Sequence, residues 1–128
     1  MAYLLDTHAF LWFVAGDKQL PDGVKQRIKN PDELCYLSIA SLWEITIKHQ
    51  IGKLTLGISL DELFEYADRN QIGILQISNE HLLTLSKLPS HHSDPFDRVI
   101  VSQAMCEKLI LMTKDRGLKK YKIKQQWR

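Results

Sequence analysis

The stretch Asp94–Asp115, DPFDRVIVSQAMCEKLILMTKD, contains a helix start, a helix, a strand and an acid placed just after the strand. Asp94 followed by Pro95 reads as an N-cap and an N1 proline. Asp97 falls at N3, where a carboxylate suits the positive end of a helix. Ile100, Val101, Ala104 and Met105 predict the buried stripe of that helix, which runs to about Lys108. Asp97 precedes Ile100 and Val101 by three and four residues, so it points along the buried face. A carboxylate idle on the surface would sit with Arg98 and Ser102 on the wet side. A carboxylate turned toward the core needs a partner, and a cation would supply one. LILMT, residues 109–113, is a near-continuous apolar strand, and Asp115 follows it by two residues.

The same grammar recurs outward from this stretch. AYLL (2–5) is a short apolar strand with Asp6 directly after it, and HAFLWFVAG (8–16) is a helix stopped at Gly16. Residues 22–29 predict a second helix begun near Pro21. ELCYLS (33–38) is a buried strand whose Ser38 caps a helix from Ile39 to about His49. Ser59 and Glu62 form a capping-box signature. GILQI (73–77) is a strand, and SNEHLLTLSKL (78–88) is a helix ended by Pro89. Tyr121, Ile123 and Trp127 leave room for one edge strand in the tail. Such alternation, with strands apolar on both faces, predicts an α/β fold: a small parallel β-sheet flanked by helices on both faces. Ligand sites in such sheets lie beyond the carboxyl ends of the strands.

Bulk properties agree with one compact unit and narrow the chemistry. The chain has 128 residues, 45% of them hydrophobic, which suits one core and argues against disorder. No apolar run approaches the about 18 residues of a membrane span, and no charged segment precedes an apolar one as in a signal peptide. Cys35 and Cys106 are far apart and form no CxxC pair, which leaves a zinc site or disulfide framework without support. A reducing cytoplasm is the expected location. Phosphate-loop, dinucleotide and serine-elbow motifs are absent. Residues 114–128 hold seven cations against Asp115 alone, a net +6, which leaves −4 for residues 1–113. That tail reads either as a solvated basic end or as a phosphate-facing patch beside an acidic site.

Asp6, Asp97 and Asp115 therefore fall where one parallel sheet would gather them. Glu44 is the fourth candidate, on a polar stripe with Ser41 and Lys48 amid Leu42, Trp43, Ile45 and Ile47. Each acid also has a plainer reading. Asp6 caps a helix, Asp115 sits in a turn, and Glu44 pairs with Lys48 on the surface or completes a capping box with Ser41. Taken jointly, several carboxylates with no clustered histidine or cysteine make a hard oxygen site suited to Mg²⁺ or Mn²⁺. Such an ion activates water and stabilises an in-line phosphoryl displacement. His91 and His92 are adjacent, which suits contact with substrate better than joint ligation. His8, His49 and His81 read as structural or solvated.

LLDTHAFLW, SIASLWEITIKHQIGKL, HHSDPFDRVIVSQA and LMTKDRGLKKY occur in that order. Together they resemble a PIN domain of the VapC toxin type, from bacterial type II toxin–antitoxin pairs, over nearly the whole chain. The resemblance implies a single PIN-like nuclease domain over residues 1–128 and Mg²⁺- or Mn²⁺-dependent endoribonuclease activity. It places Asp6, Glu44, Asp97 and Asp115 as the acidic metal-binding and catalytic set, with Thr113 as a supporting hydroxyl. Asp94 and Arg98 belong to this form of the motif, Arg98 either touching the scissile phosphate or pairing with an acid. Lys114, Arg116, Lys119 and Lys120 are the candidate RNA contacts. A homodimer and a cognate antitoxin that covers the site are also implied. The alternatives are a PIN-like binding module without catalysis and a phosphatase-like α/β hydrolase using Asp6 as nucleophile. The latter wants Asp-x-Asp, where this chain has Asp6-Thr7-His8.

Overall fold

The computed structural model describes residues 1–128. The strands are β1 (Ala2–Leu5), β2 (Leu34–Ser38), β3 (Gly73–Leu75), β4 (Ile110–Met112) and β5 (Gln125–Gln126). The helices are α1 (Thr7–Ala15), α2 (Asp22–Lys29), α3 (Ile39–Gln50), α4 (Leu60–Arg69), α5 (Asn79–Ser86) and α6 (Pro95–Glu107). The strands form one sheet in the order β3-β2-β1-β4-β5, with every neighbouring pair parallel. No helix is long and apolar enough to cross a membrane.

Alternation along the strands builds two cores. Tyr3, Leu5, Cys35, Leu37, Ile110 and Met112 face one side, where they meet Phe10, Phe13, Val24, Ile45 and Leu63 from the first four helices. Leu4 and Leu111 face the other side and meet Ile100, Val101 and Ala104 of α6. Leu118 and Tyr121 from the tail close that second core. Burying a Leu, Ile or Phe side chain fully is worth about 1.5–3 kcal/mol, so both helical layers are held by their apolar stripes.

From β1 the chain crosses to β2 on one side of the strand, and its later part returns to β4 on the other. The reversal leaves a crevice at the carboxyl ends of β1 and β4, the topological position where parallel sheets bind ligands. Capping fixes the helices around it. Asp6 accepts from Ala9 N at 2.7 Å, Ser38 from Ala40 N at 3.0 Å, and Asp94 from Phe96 N and Asp97 N at 2.8 and 3.1 Å. Gly16 ends α1 at φ 64°, a left-handed conformation that glycine adopts without a Cβ clash.

Several local expectations are corrected. Met105 is exposed and Ser102 is fully buried, its Oγ donating to the Arg98 carbonyl at 2.9 Å. A back-bonded hydroxyl is satisfied within its own helix, so Ser102 tolerates the core side. The edge strand is the Gln125–Gln126 pair, because Tyr121 is drawn into the second core. The strand at GILQI ends at Leu75, and the helix before Pro89 ends at Ser86. A 3₁₀ turn at Arg116–Leu118 follows Asp115.

Candidate metal centre and nucleic-acid groove

Asp6 sits at the carboxyl end of β1, capping α1. Its Oδ1 takes the Ala9 amide, and the nearby Thr113 side chain favours its charged form. Thr113 is buried, and its Oγ1 accepts from Asp115 N at 3.0 Å, which holds the acid after β4. Asp115 caps the 3₁₀ turn through Oδ1, which accepts from Gly117 N at 2.8 Å. The helix-capping and site-building readings of Asp6 and Asp115 are thus compatible. Each uses Oδ1 on a backbone amide, and Asp115 Oδ2 lies 3.7 Å from His92 Nε2.

Asp97 enters from the start of α6, and its Oδ2 lies 2.9 Å from His92 Nε2. Glu44 is buried on α3 rather than part of a surface pair. Thr7 Oγ1 donates to its Oε1 at 2.9 Å, and Lys48 Nζ to its Oε2 at 2.8 Å. Ser41 Oγ lies 3.0 Å from Thr7 Oγ1, and Ser38 caps α3, so no capping box forms between Ser41 and Glu44.

The acids feel one another. Burial raises the Asp6 carboxyl above its ordinary 3.8, against the pull of Thr113, Ala9 N and His8, and the Asp97 charge adds to the rise. Burial likewise raises Asp97, its bond to His92 opposing the rise and the charges of Asp94 and Glu44 adding to it. Glu44 holds Lys48 in its charged form by the direct hydrogen bond. Desolvated carboxylates that repel one another form a donor set that a divalent cation satisfies. The donor chemistry of this crevice therefore fits Mg²⁺ or Mn²⁺.

Arg98 touches no acid. Its guanidinium donates to the carbonyls of Pro89, His92 and Leu88 at 3.1, 3.4 and 3.3 Å, and to Tyr121 Oη at 3.4 Å. The expectation that it pairs with an acid is corrected: the planar fork fits several carbonyls of the loop before α6 and staples that loop in place. Asp94 acts through its cap, which fixes the first turn of α6 that carries Asp97.

Beside the acids, Lys114, Arg116 and Lys119 line an open groove of about 740 Å³ with Thr113, Asp115 and Trp127. Lys120 does not line it. Lys114 Nζ lies 5.7 Å from the Trp12 ring centroid, and Trp12 meets Trp127 edge-on at 5.8 Å.

Sequence reasoning missed His92 as part of the centre. Its Nε2 lies 3.7 Å from Asp115 Oδ2 as well as beside Asp97. His91 instead meets Tyr121 edge-on, with ring centroids 5.2 Å apart. Arg98 holds the loop that carries both histidines, an arrangement with no signature in residue spacing. His81 is structural: Nδ1 accepts from Ser78 N at 3.0 Å, and Nε2 lies 2.9 Å from Glu107 Oε2. Burial pushes the Cys35 thiol up to about 11, which leaves it inert.

The sequence matches the PIN domain family over residues 3–124. It is 31% identical over 121 residues to Ribonuclease VapC22 of Mycobacterium tuberculosis, covering 93% of this chain and 91% of that protein. The fold is shared with a chain of the Rickettsia felis VapBC2 structure, bound to a promoter DNA fragment, at TM-score 0.72, 16% identity and 98% coverage of both chains. It is shared also with a chain of VapBC-1 from nontypeable Haemophilus influenzae, at TM-score 0.70 and 17% identity, covering 98% of this chain and 97% of the other. With its acids gathered at the carboxyl ends of β1 and β4 and this match along nearly its whole length, the chain belongs to the PIN-domain family.

Proposed function

We propose that this protein is the toxin of a type II toxin–antitoxin pair, a cytoplasmic endoribonuclease that uses Mg²⁺ or Mn²⁺ and is held in check by a cognate antitoxin. The observation that carries the reading is the pair Asp97 and Asp115, whose carboxylate oxygens lie with His92 Nε2 within 4.8 Å of one another, with Asp6 and Glu44 near enough for charge coupling to Asp97. The likeness to a curated ribonuclease supports the chemistry, and the VapBC structures sharing the fold support an antitoxin partner. A homodimer is the expected assembly.

Asp6, Asp97 and Asp115 would hold the ion, with Glu44 as a fourth acid steadied by Thr7 and Lys48. When bound, the ion supplies Lewis acidity that activates water and offsets charge on the phosphate. The chain's own part is to hold and orient. Ala9 N fixes the Asp6 carboxylate, Thr113 fixes the turn that carries Asp115, and Asp94 fixes the start of α6 and with it Asp97. Lys114, Arg116 and Lys119 draw the RNA backbone along the groove toward the acids. Phosphatase chemistry through Asp6 finds no second acid two residues on, since His8 is exposed and packs on Trp12. The test is RNA cleavage by antitoxin-free protein: cutting with Mg²⁺ or Mn²⁺ that stops with chelator supports the proposal. Cutting that survives thorough chelation refutes it.

A further inference from the structure

We propose that His92 is a nitrogen ligand of the divalent-ion site, which makes the centre a mixed nitrogen–oxygen one and biases it toward Mn²⁺ over Mg²⁺. This rests on the metal-dependent reading above and goes beyond its all-carboxylate set. His92 Nε2, an Asp97 oxygen and an Asp115 oxygen all lie within 4.8 Å of one another. The Nε2 atom is 2.9 Å from Asp97 Oδ2 and 3.7 Å from Asp115 Oδ2. Adjacent ligands on an octahedral ion with bonds of about 2.1 Å stand about 3 Å apart, the spacing of His92 Nε2 and Asp97 Oδ2, and Asp115 Oδ2 at 3.7 Å would have to draw in to join them.

The imidazole is held in place on several sides. Arg98 binds the His92 carbonyl and, through Leu88 and Pro89, the loop that carries it. The neighbouring His91 is anchored on Tyr121. On the far side of the ring stands Gly117, where an added Cβ would come within 3.5 Å of Nδ1. Nδ1 has no hydrogen-bond partner in the protein, and Nε2 is the ring nitrogen that faces both acids. Imidazole suits Mn²⁺ far better than Mg²⁺, which keeps to oxygen ligands and water.

The test is pulsed electron paramagnetic resonance of the full-length protein loaded with one equivalent of Mn²⁺. Wild type is expected to show ¹⁴N modulation from a directly bound imidazole. His92→Gln, checked for folding by circular dichroism, is expected to bind Mn²⁺ without that modulation, and His8→Gln to retain it. Calorimetry should find the Mn²⁺-to-Mg²⁺ affinity ratio lowered about tenfold or more in His92→Gln. Wild type that binds Mn²⁺ with no nitrogen coupling overturns the role of His92 and leaves the carboxylate site standing, a result that needs no variant. Coupling lost in His8→Gln instead, or an unchanged affinity ratio in His92→Gln, overturns it equally. Wild type that binds no Mn²⁺ at all overturns both this inference and the metal-dependent reading.

Discussion

Replacing Asp97 with Asn removes one charge from the acidic crevice with little change of shape. Its carboxylate and that of Asp115 approach within 4.8 Å. At that separation two unit charges repel by about 3.5 kcal/mol at an effective dielectric of 20, and by about 1 kcal/mol in water. The two side chains are 25% and 40% exposed, so screening puts the value near the lower figure. Against this gain stands the loss of a favourable N3 carboxylate, about 0.3–1 kcal/mol. The bond from His92 survives in kind, because the Asn amide oxygen still accepts. In chelator, Asp97→Asn should therefore melt at or above wild type, by up to about 4 °C. Adding Mn²⁺ reverses the order. At a hundredfold excess over its Kd, wild type gains about 2.7 kcal/mol, whereas a variant whose Kd is about a hundredfold weaker gains about 0.4 kcal/mol at the same concentration. Differential scanning fluorimetry with and without Mn²⁺ reads both arms. A variant destabilised in chelator, yet stabilised by Mn²⁺ as much as wild type, would make Asp97 a helix-start residue only.

Asp6 and Asp97 set a pH dependence. Asp6 and Asp97 have carboxyls raised above 3.8 in the fold, so their cost to the metal-free protein is absent below that pH. It grows as pH rises through the raised values. The stability of Asp97→Asn relative to wild type in chelator should thus increase from pH 4 toward neutrality, and a flat difference in urea titrations would contradict the repulsion. Arg98→Ala should lose about 2 kcal/mol by removing donors to the loop carbonyls, with Arg98→Lys recovering less than half. A large drop in the salt slope of RNA binding for Arg98→Ala would instead make it a phosphate contact. Changing Lys114, Arg116 and Lys119 together to Gln should lower the log–log salt slope of single-stranded RNA binding in chelator by about 2. An unchanged slope would leave the groove as solvated surface.

The fold was legible because its signals are local. Asp94-Pro95, Ser38 and the Ser59–Glu62 box each mark a helix start through a side-chain bond to a nearby amide. Strands apolar on both faces pointed to a sheet covered on both sides. The positions of Asp6 and Asp115 followed from the strands that end just before them. What stayed hidden depends on side-chain contacts that residue spacing alone does not show. Glu44 is a candidate acid with the Lys48 pair as its plainer reading, and its burial against Thr7 of α1 decides between them only in the fold. Ser102 reads as exposed until its hydroxyl is seen bonded within α6. The inward turn of His92 and the stapling by Arg98 are set by a loop whose course no local pattern encodes.

The central claim is that these acids cut RNA through a divalent ion, and mapping of cleavage ends tests it most directly. Purified, antitoxin-free wild type and Asp97→Asn would each be incubated with total RNA in Mn²⁺ or in chelator, and the new ends sequenced. Discrete new ends only for wild type with Mn²⁺ are the predicted result. The same ends from Asp97→Asn, or from wild type in chelator, would contradict the account.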